Sequence, residues 1–135
     1  MPLKSSSCDI VFSVSVFTHL DEHQQMSWLS ELRRVLAPGG LLVASTHSPR
    51  LVDGPFRLAP ADRQSLEDTG FLHVQSAGPF NDQATFHSET YLRSVWSETF
   101  DLRVFLPSGL GGYQDLSVWS PRTDHGTIPS SAPDE

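Results

Sequence analysis

The chain has 135 residues, of which 38% are hydrophobic, and it carries a formal net charge of −7. This length fits one domain that is large enough to bury a core. The negative charge argues against nucleic acid and anionic membranes as partners, because both are polyanions, and leaves a small neutral or cationic ligand open. The single cysteine, Cys8, excludes an internal disulfide and favours a reducing compartment.

Two features that the sequence lacks bear on where in the cell the protein is located. No apolar run approaches the roughly 18 residues that cross a bilayer. The first seven residues also lack the hydrophobic core of a signal peptide. We therefore expect a cytoplasmic protein without a membrane partner.

The first predicted element is a strand over residues 9–16. Its apolar residues run almost continuously and are mostly β-branched: Ile10, Val11, Phe12, Val14 and Val16. Such a run is typical of a strand that is buried on both faces of a parallel sheet.

An amphipathic helix follows over residues 22–36. Asp21 can cap it, and Gln24 completes a capping box. The apolar face consists of Met26, Leu29, Leu32, Val35 and Leu36, with Trp28 beside it. Pro38 ends the helix and two glycines turn the chain into a second apolar strand, residues 41–46, so that the segment predicts a βαβ unit.

The middle of the chain is less regular. We expect a loop over residues 47–59, a short helix over residues 60–69 that ends at Gly70, a strand over residues 71–75 and a second loop over residues 76–87.

The last elements are a helix and two strands. Ser88 can cap a helix whose apolar residues hold helical spacing: Tyr91, Leu92, Val95, Trp96 and Phe100. Residues 102–106 and 116–120 predict strands, and their short glycine-rich connection indicates an antiparallel pair. Residues 122–135 are polar and predict a disordered tail.

Two segments carry a resemblance to a known family. Residues 14–20 read Val-Ser-Val-Phe-Thr-His-Leu, and residues 36–40 read Leu-Ala-Pro-Gly-Gly. With the final antiparallel pair, they resemble a class I S-adenosylmethionine-dependent methyltransferase. The resemblance implies an α/β Rossmann-like fold over residues 1–121, in which the four main strands match the fourth to seventh strands of that family.

The resemblance implies S-adenosylmethionine as cofactor and a small-molecule methyl acceptor. The family's glycine-rich cofactor turn and its acidic ribose ligand belong to strands that would precede residue 9. We therefore expect a truncated domain with an incomplete site, and Met1 would be an internal methionine of a longer gene product. Strand 9–16 would then be an open apolar edge, available to a homodimer or a partner chain.

The site residues follow from the same resemblance. Val14, Ser15 and His19 would bind the cofactor, because the turn after the family's fourth strand faces it. The alternative is that Ser15 only satisfies its turn and that His19 packs on the helix. His19 and His23 lie four residues apart, but no further ligand has a convincing spacing, so we predict no metal site.

Three further residues are candidates on the acceptor side. His47 follows the second strand and could act as a general base toward the acceptor. It could equally hydrogen-bond the loop that follows. His87 and Tyr91 flank the second long loop and would bind substrate, with helix capping and core packing as the alternative.

Two other functions stay open. The chain could be a non-catalytic methyltransferase-like module that binds a partner through its open strand. Half of a nicotinamide-dependent dehydrogenase is the weaker reading, because the Pro-Gly-Gly turn and the final antiparallel pair favour the methyltransferase arrangement.

Overall fold

A computed structural model describes residues 1–53, 56, 58–78 and 81–123 of the chain. Its elements in chain order are β1 (Cys8–Ser13), α1 (Glu22–Val35), β2 (Leu36–Thr46), a 3-10 helix (Pro49–Asp53), α2 (Pro60–Thr69), β3 (Phe71–Gly78), β4 (Asn81–His87), α3 (Glu89–Val95), a second 3-10 helix (Trp96–Glu98), β5 (Phe100–Leu110) and β6 (Gln114–Pro121).

The main sheet has four strands in the order β1-β2-β6-β5. Strands β1 and β2 are parallel and are joined through α1, whereas β6 runs antiparallel to both β2 and β5. The predicted α/β class, the βαβ unit and the antiparallel pair at the end of the main sheet are therefore confirmed. Strands β3 and β4 form a separate two-stranded antiparallel sheet.

Helix α1 begins at the predicted capping box. The Asp21 carboxylate accepts from the Gln24 amide at 2.8 Å, and the Gln24 side chain accepts from the Asp21 amide at 3.0 Å. The buried stripe consists of Gln25, Leu29, Leu32 and Val35. The prediction that Met26 belongs to the buried face was wrong, because the stripe advances by four and then three residues from Gln25. Met26 and the neighbouring Trp28 are both exposed.

Strand β1 is shorter and more exposed than predicted. It ends at Ser13 rather than residue 16, and Phe12 is 70% exposed. Within the described residues only β2 pairs with β1, so this strand lies at an edge of the sheet. Ile10 and Phe12 of β1 are exposed, and Val14 and Val16 of the following turn are exposed as well. We call these four apolar residues the β1 stripe.

The Pro-Gly-Gly segment lies inside β2 instead of before it. Between the pairs Cys8–Leu36 and Ile10–Leu41 the register shifts, so the segment bulges out of the strand. Gly39 has a φ of 76°. A Cβ atom on Gly40 would lie 2.8 Å from the Ala37 carbonyl oxygen, so the close approach of the chain at this bulge requires glycine.

The main core lies between α1, α3 and the sheet. Its largest members include Phe17, Trp96 and Trp119. The Trp96 ring contacts the other two in tilted arrangements, at centroid distances of 4.7 Å to Phe17 and 5.4 Å to Trp119. A second cluster, around Phe56 and Phe86, lies between the 3-10 helix, α2 and the β3–β4 sheet. These contacts attach the segment between β2 and β5 to the main sheet.

This segment contains two differences from the predictions. Residues 81–87 form strand β4 instead of a loop, because Ala84 to His87 are buried between the main core and the second cluster. The helix after Ser88 ends at Val95, and Phe100 opens β5. The helix over residues 60–69 and its end at Gly70, where φ is 74°, are confirmed.

The end of the described chain is held by hydrogen bonds. The Arg122 amide donates to the Thr99 carbonyl, and the Arg122 guanidinium donates to the Ser97 carbonyl at 3.0 Å. Arg33 donates in turn to the Arg122 carbonyl at 2.9 Å. The predicted tail therefore begins with an ordered residue, and residues 124–135 lie outside the described part of the chain.

The β1 stripe predicts self-association, because an apolar edge strand with unpaired backbone groups is a template for pairing. We expect sedimentation velocity to show a concentration-dependent dimer for the wild-type chain. Phe12→Lys should shift it to the monomer, since a charge at the centre of the stripe opposes burial.

Val104→Lys is the matched control, because Val104 is 42% exposed on β5, the opposite edge strand. A wild-type chain that stays monomeric, or an equal effect of both substitutions, would contradict association through β1.

Candidate cofactor and acceptor site

The candidate site lies where β1 and β2 end. Because these strands are parallel, their carboxyl ends meet at one edge of the sheet, which is where open α/β sheets bind ligands. Residues 14–20, here called the β1 turn, follow the first strand. His47 and Ser48 follow the second strand.

Ser15 occupies a special position in the β1 turn. Its φ of 56° is in the left-handed region, which is uncommon for a residue other than glycine. The Ser45 hydroxyl accepts from the Ser15 amide at 2.8 Å, and the Ser15 hydroxyl lies 3.0 Å from the amide nitrogen of the Gln114 side chain. Strands β2 and β6 thus hold the turn in this conformation.

The two residues beside Ser15 face outward. Val14 is 47% and Val16 is 45% exposed. With the Ser15 hydroxyl they form an open wall with apolar and polar parts, and residues 13–20 contain no lysine or arginine. Two of the three predicted cofactor residues, Val14 and Ser15, therefore lie side by side on one accessible surface.

The third, His19, lies at the far end of the turn and is exposed. Its Nδ1 lies 3.1 Å from the Gln83 carbonyl oxygen of β4. Since a carbonyl only accepts, Nδ1 carries the proton in this contact. His19 therefore contacts the β3–β4 sheet rather than packing on α1.

His47 is buried at the end of β2, with only 3% of its surface exposed. Aromatic rings surround it: Phe56 at 5.0 Å, Phe86 at 5.6 Å and Tyr113 at 5.9 Å between centroids. Burial, followed by the nearby His19, lowers the pKa of His47 to about 4, against the opposing effect of a hydrogen bond to the Thr85 main chain. The ring is therefore neutral at pH 7, and its Nδ1 has no partner within the described residues.

His87 is fully buried on β4. Its Nε2 lies 2.7 Å from the Gln25 side-chain oxygen, and its amide donates to the His47 carbonyl at 2.9 Å. Burial, followed by the nearby His47, lowers the pKa of His87 to about 3. A ligand cannot reach this ring in the observed arrangement, and the substrate role of His87 stays a prediction.

Tyr91 is placed elsewhere. Its hydroxyl donates to the Glu22 carboxylate at 3.0 Å, and burial, followed by this hydrogen bond, raises its pKa. The residue borders a groove of about 540 Å³ between the first 3-10 helix, α2 and α3. Neither Ser15 nor His47 lines that groove, so the structure does not bring Tyr91 together with the other candidates.

Sequence reasoning missed the polar residues that support the β1 turn: Gln25, Ser45, Thr85 and Gln114. One of them, Gln25, could have been predicted from the sequence. It stands four residues before Leu29 on the buried stripe of the helix, and a buried polar side chain needs hydrogen-bond partners. The other three belong to strands whose register only the fold defines.

Comparisons with known proteins agree with this geometry. Residues 1–44 match a family model described as a methyltransferase domain. A protein from Pyrococcus horikoshii OT3 has 16% identity and a TM-score of 0.62, over 90% of this chain and 55% of its own. A SAM-dependent methyltransferase from Methanosarcina mazei has 17% identity and a TM-score of 0.61, over 88% of this chain and 61% of its own.

A third solved structure is similar to this chain. The glycopeptide N-methyltransferase MtfA, in complex with S-adenosyl-L-homocysteine, has 14% identity and a TM-score of 0.54, over 90% of this chain and 57% of its own. The chain thus spans between 55% and 61% of the length of these three proteins. The chain therefore shares the fold of these methyltransferases, and its first 44 residues also match the methyltransferase family model.

The buried histidines predict an acid-sensitive fold. Because the pKa of His87 is lower in the folded than in the unfolded chain, the unfolded chain binds more protons below about pH 6.5. Its contribution to stability is complete above that pH and decreases as the pH falls toward 3, by about 1.4 kcal/mol per pH unit within this window. Urea unfolding at about pH 7 and about pH 5 measures this slope.

His87→Gln should make the pH dependence shallower, because it removes one buried titrating group. His23→Gln, at an exposed position of α1, is the matched control and should keep the wild-type slope. Equal slopes for the wild type and His87→Gln would contradict the assignment.

Proposed function

We propose that this chain acts in S-adenosylmethionine-dependent methyl transfer to a small-molecule acceptor and supplies one wall of the cofactor cleft. The observation that carries the proposal is the β1 turn at the carboxyl edge of two parallel strands, at the end of a strand that matches the methyltransferase family model. The solved structures with the same fold, one of them in complex with S-adenosyl-L-homocysteine, support the choice of cofactor.

The residues of the turn fit one side of this cofactor. Val14 and Val16 offer apolar contact, and the Ser15 hydroxyl offers a polar one. The turn carries no cationic lysine or arginine that would repel a sulfonium. When bound, S-adenosylmethionine supplies an activated methyl group, and the chain's residues contribute by positioning, which can account for a large part of the rate of such a reaction.

On the acceptor side we propose His47 as the proton acceptor. The surrounding rings keep its imidazole neutral at pH 7, and its enclosed Nδ1, which has no partner among the described residues, can accept a hydrogen bond from an acceptor that displaces part of this enclosure. A pKa of about 4 makes it a weak base. A weak base is sufficient for a hydroxyl acceptor, because the oxygen becomes strongly acidic as it gains a methyl group.

We further propose that the cleft is incomplete without additional polypeptide. The chain spans little more than half of the proteins that share its fold, and β1 is an edge strand within the described residues. The β1 stripe offers the apolar surface on which such a polypeptide would pack. The additional polypeptide would be required for the complete activity. The β1 turn itself is formed without it.

We propose a cytoplasmic location, supported by the single cysteine and the negative net charge. Among the described residues, no helix has both the length and the apolar character needed to cross a bilayer.

Isothermal titration calorimetry of the chain with S-adenosylmethionine tests the cofactor site. We expect saturable binding with a dissociation constant near or below about 1 mM, equivalent to about 4 kcal/mol. Val14→Arg should weaken binding about tenfold or more, because it adds a cation beside a cationic ligand. The same substitution should weaken S-adenosylhomocysteine less, since that molecule lacks the sulfonium charge.

Val104→Arg is the matched control on β5 and should bind like the wild type. If the folded wild-type chain shows no saturable binding up to about 10 mM, or if both substitutions weaken binding equally, the proposal is wrong.

A further inference from the structure

The backbone carbonyl of Leu20, at the end of the β1 turn, accepts two hydrogen bonds from side chains of other elements. The Thr85 hydroxyl of β4 donates to it at 2.7 Å, and the Gln25 side-chain amide of α1 donates at 3.0 Å. Both side chains are fully buried. Because a carbonyl oxygen has two lone pairs, its acceptor capacity is complete.

Gln25 extends this contact to His87. Its amide nitrogen donates to the carbonyls of Leu20 and, at 3.4 Å, of Phe17, so its oxygen must be the acceptor from His87 at 2.7 Å. The His87 proton is therefore on Nε2. A continuous buried hydrogen-bond path joins β4 to two carbonyls of the β1 turn.

Two main-chain groups of β4 contact the same turn. The Thr85 amide donates to the Thr18 carbonyl at 2.8 Å, and the Gln83 carbonyl accepts from His19 Nδ1 at 3.1 Å. The Thr85 hydroxyl, which gives its own proton to Leu20, accepts from His73 Nδ1 of β3 at 2.7 Å. Both strands of the β3–β4 sheet thus support one turn.

We propose that residues 83–87 of β4 act as a clamp that fixes the β1 turn in its binding conformation, with Thr85 and Gln25 as positioning residues. The clamp joins β4, whose His87 amide donates to the carbonyl of the proposed proton acceptor His47, to the wall that we assign to the cofactor. The effect of the clamp on cofactor affinity rests on the proposed function. Its effect on the conformation of the turn is independent of that function.

The physical reason is the cost of losing two linked hydrogen bonds at a partly buried position. Removal of the Thr85 hydroxyl leaves the half-buried Leu20 carbonyl with only the Gln25 donor and leaves His73 Nδ1 without its acceptor. Relief of this cost requires the turn to open toward water. The turn conformation that presents Ser15 would then be populated less, and affinity for a ligand of the turn would decrease in proportion.

Thr85→Val and Thr85→Ser form the decisive pair, because valine keeps the shape and serine keeps the hydroxyl. Amide hydrogen exchange, followed by NMR, measures opening at His19, whose amide donates to the Val16 carbonyl within the turn. We expect exchange in Thr85→Val to be at least fivefold faster than in the wild type. Thr85→Ser should stay within about twofold.

Thr90→Val, an exposed threonine of α3, is the control and should leave exchange at His19 unchanged. If Thr85→Val leaves the exchange of the turn unchanged, or if Thr85→Ser accelerates it equally, the clamp is wrong.

A titration with S-adenosylhomocysteine separates the clamp from the proposed function. We expect Thr85→Val to bind it about tenfold more weakly than the wild type, with recovery in Thr85→Ser. If the wild-type chain does not bind S-adenosylhomocysteine, the proposed function fails, and the exchange data still decide the clamp. If the wild type binds it and Thr85→Val binds equally well, the positioning role is overturned.

The wild-type chain provides a test even if Thr85→Val does not fold. Under native exchange conditions with increasing urea, a clamped turn should open together with β4. The amides of His19 and Thr85 should then report the same opening free energy and the same urea dependence. Independent opening of the two amides would overturn the proposal.

Discussion

The structure depends on how the β1 turn, which has no regular secondary structure, satisfies its backbone as it passes from an exposed wall at residues 14–16 to the buried Phe17 and Thr18. Ser45 of β2 and Gln114 of β6 hold its first half, while Gln25 and Thr85 hold its end. A buried backbone without such partners is costly, so these bonds decide which conformation the turn adopts. These bonds fix the backbone of the turn. The side chains that stay exposed in this conformation form the wall of the candidate site.

The same constraint explains the buried histidines. His47 and His87 are neutral because aromatic and aliphatic groups enclose them, and each lies on a segment that contacts the β1 turn or its neighbours. One buried imidazole has a defined structural partner in Gln25. In both rings Nδ1 is buried and has no partner among the described residues, and that of His47 lies at the carboxyl edge of the sheet. The two histidines therefore differ in position and in the bond to Gln25 rather than in the degree of burial.

The proposed cofactor wall and the strand at the edge of the described sheet are parts of one surface. Val14 and Val16 extend the β1 stripe beyond the end of the strand, so the apolar face that favours association continues into the proposed cleft. A polypeptide that covers β1 would therefore also border the ligand site. The chain spans between 55% and 61% of its structural relatives' length, and the turn is formed within it.

The sequence by itself determined the local elements: the capping box at Asp21, the glycine that ends α2, the βαβ unit and the antiparallel pair, because each depends on neighbouring residues along the chain. Residues 14–20 and 36–40 also carried the resemblance to the methyltransferases whose fold this chain shares. Only the tertiary structure decided that residues 81–87 form a strand, that Trp28 is exposed and that His87 binds Gln25. These features depend on contacts between residues far apart in sequence. Gln25 and His87, for example, are separated by 62 positions, and no local pattern encodes such a contact.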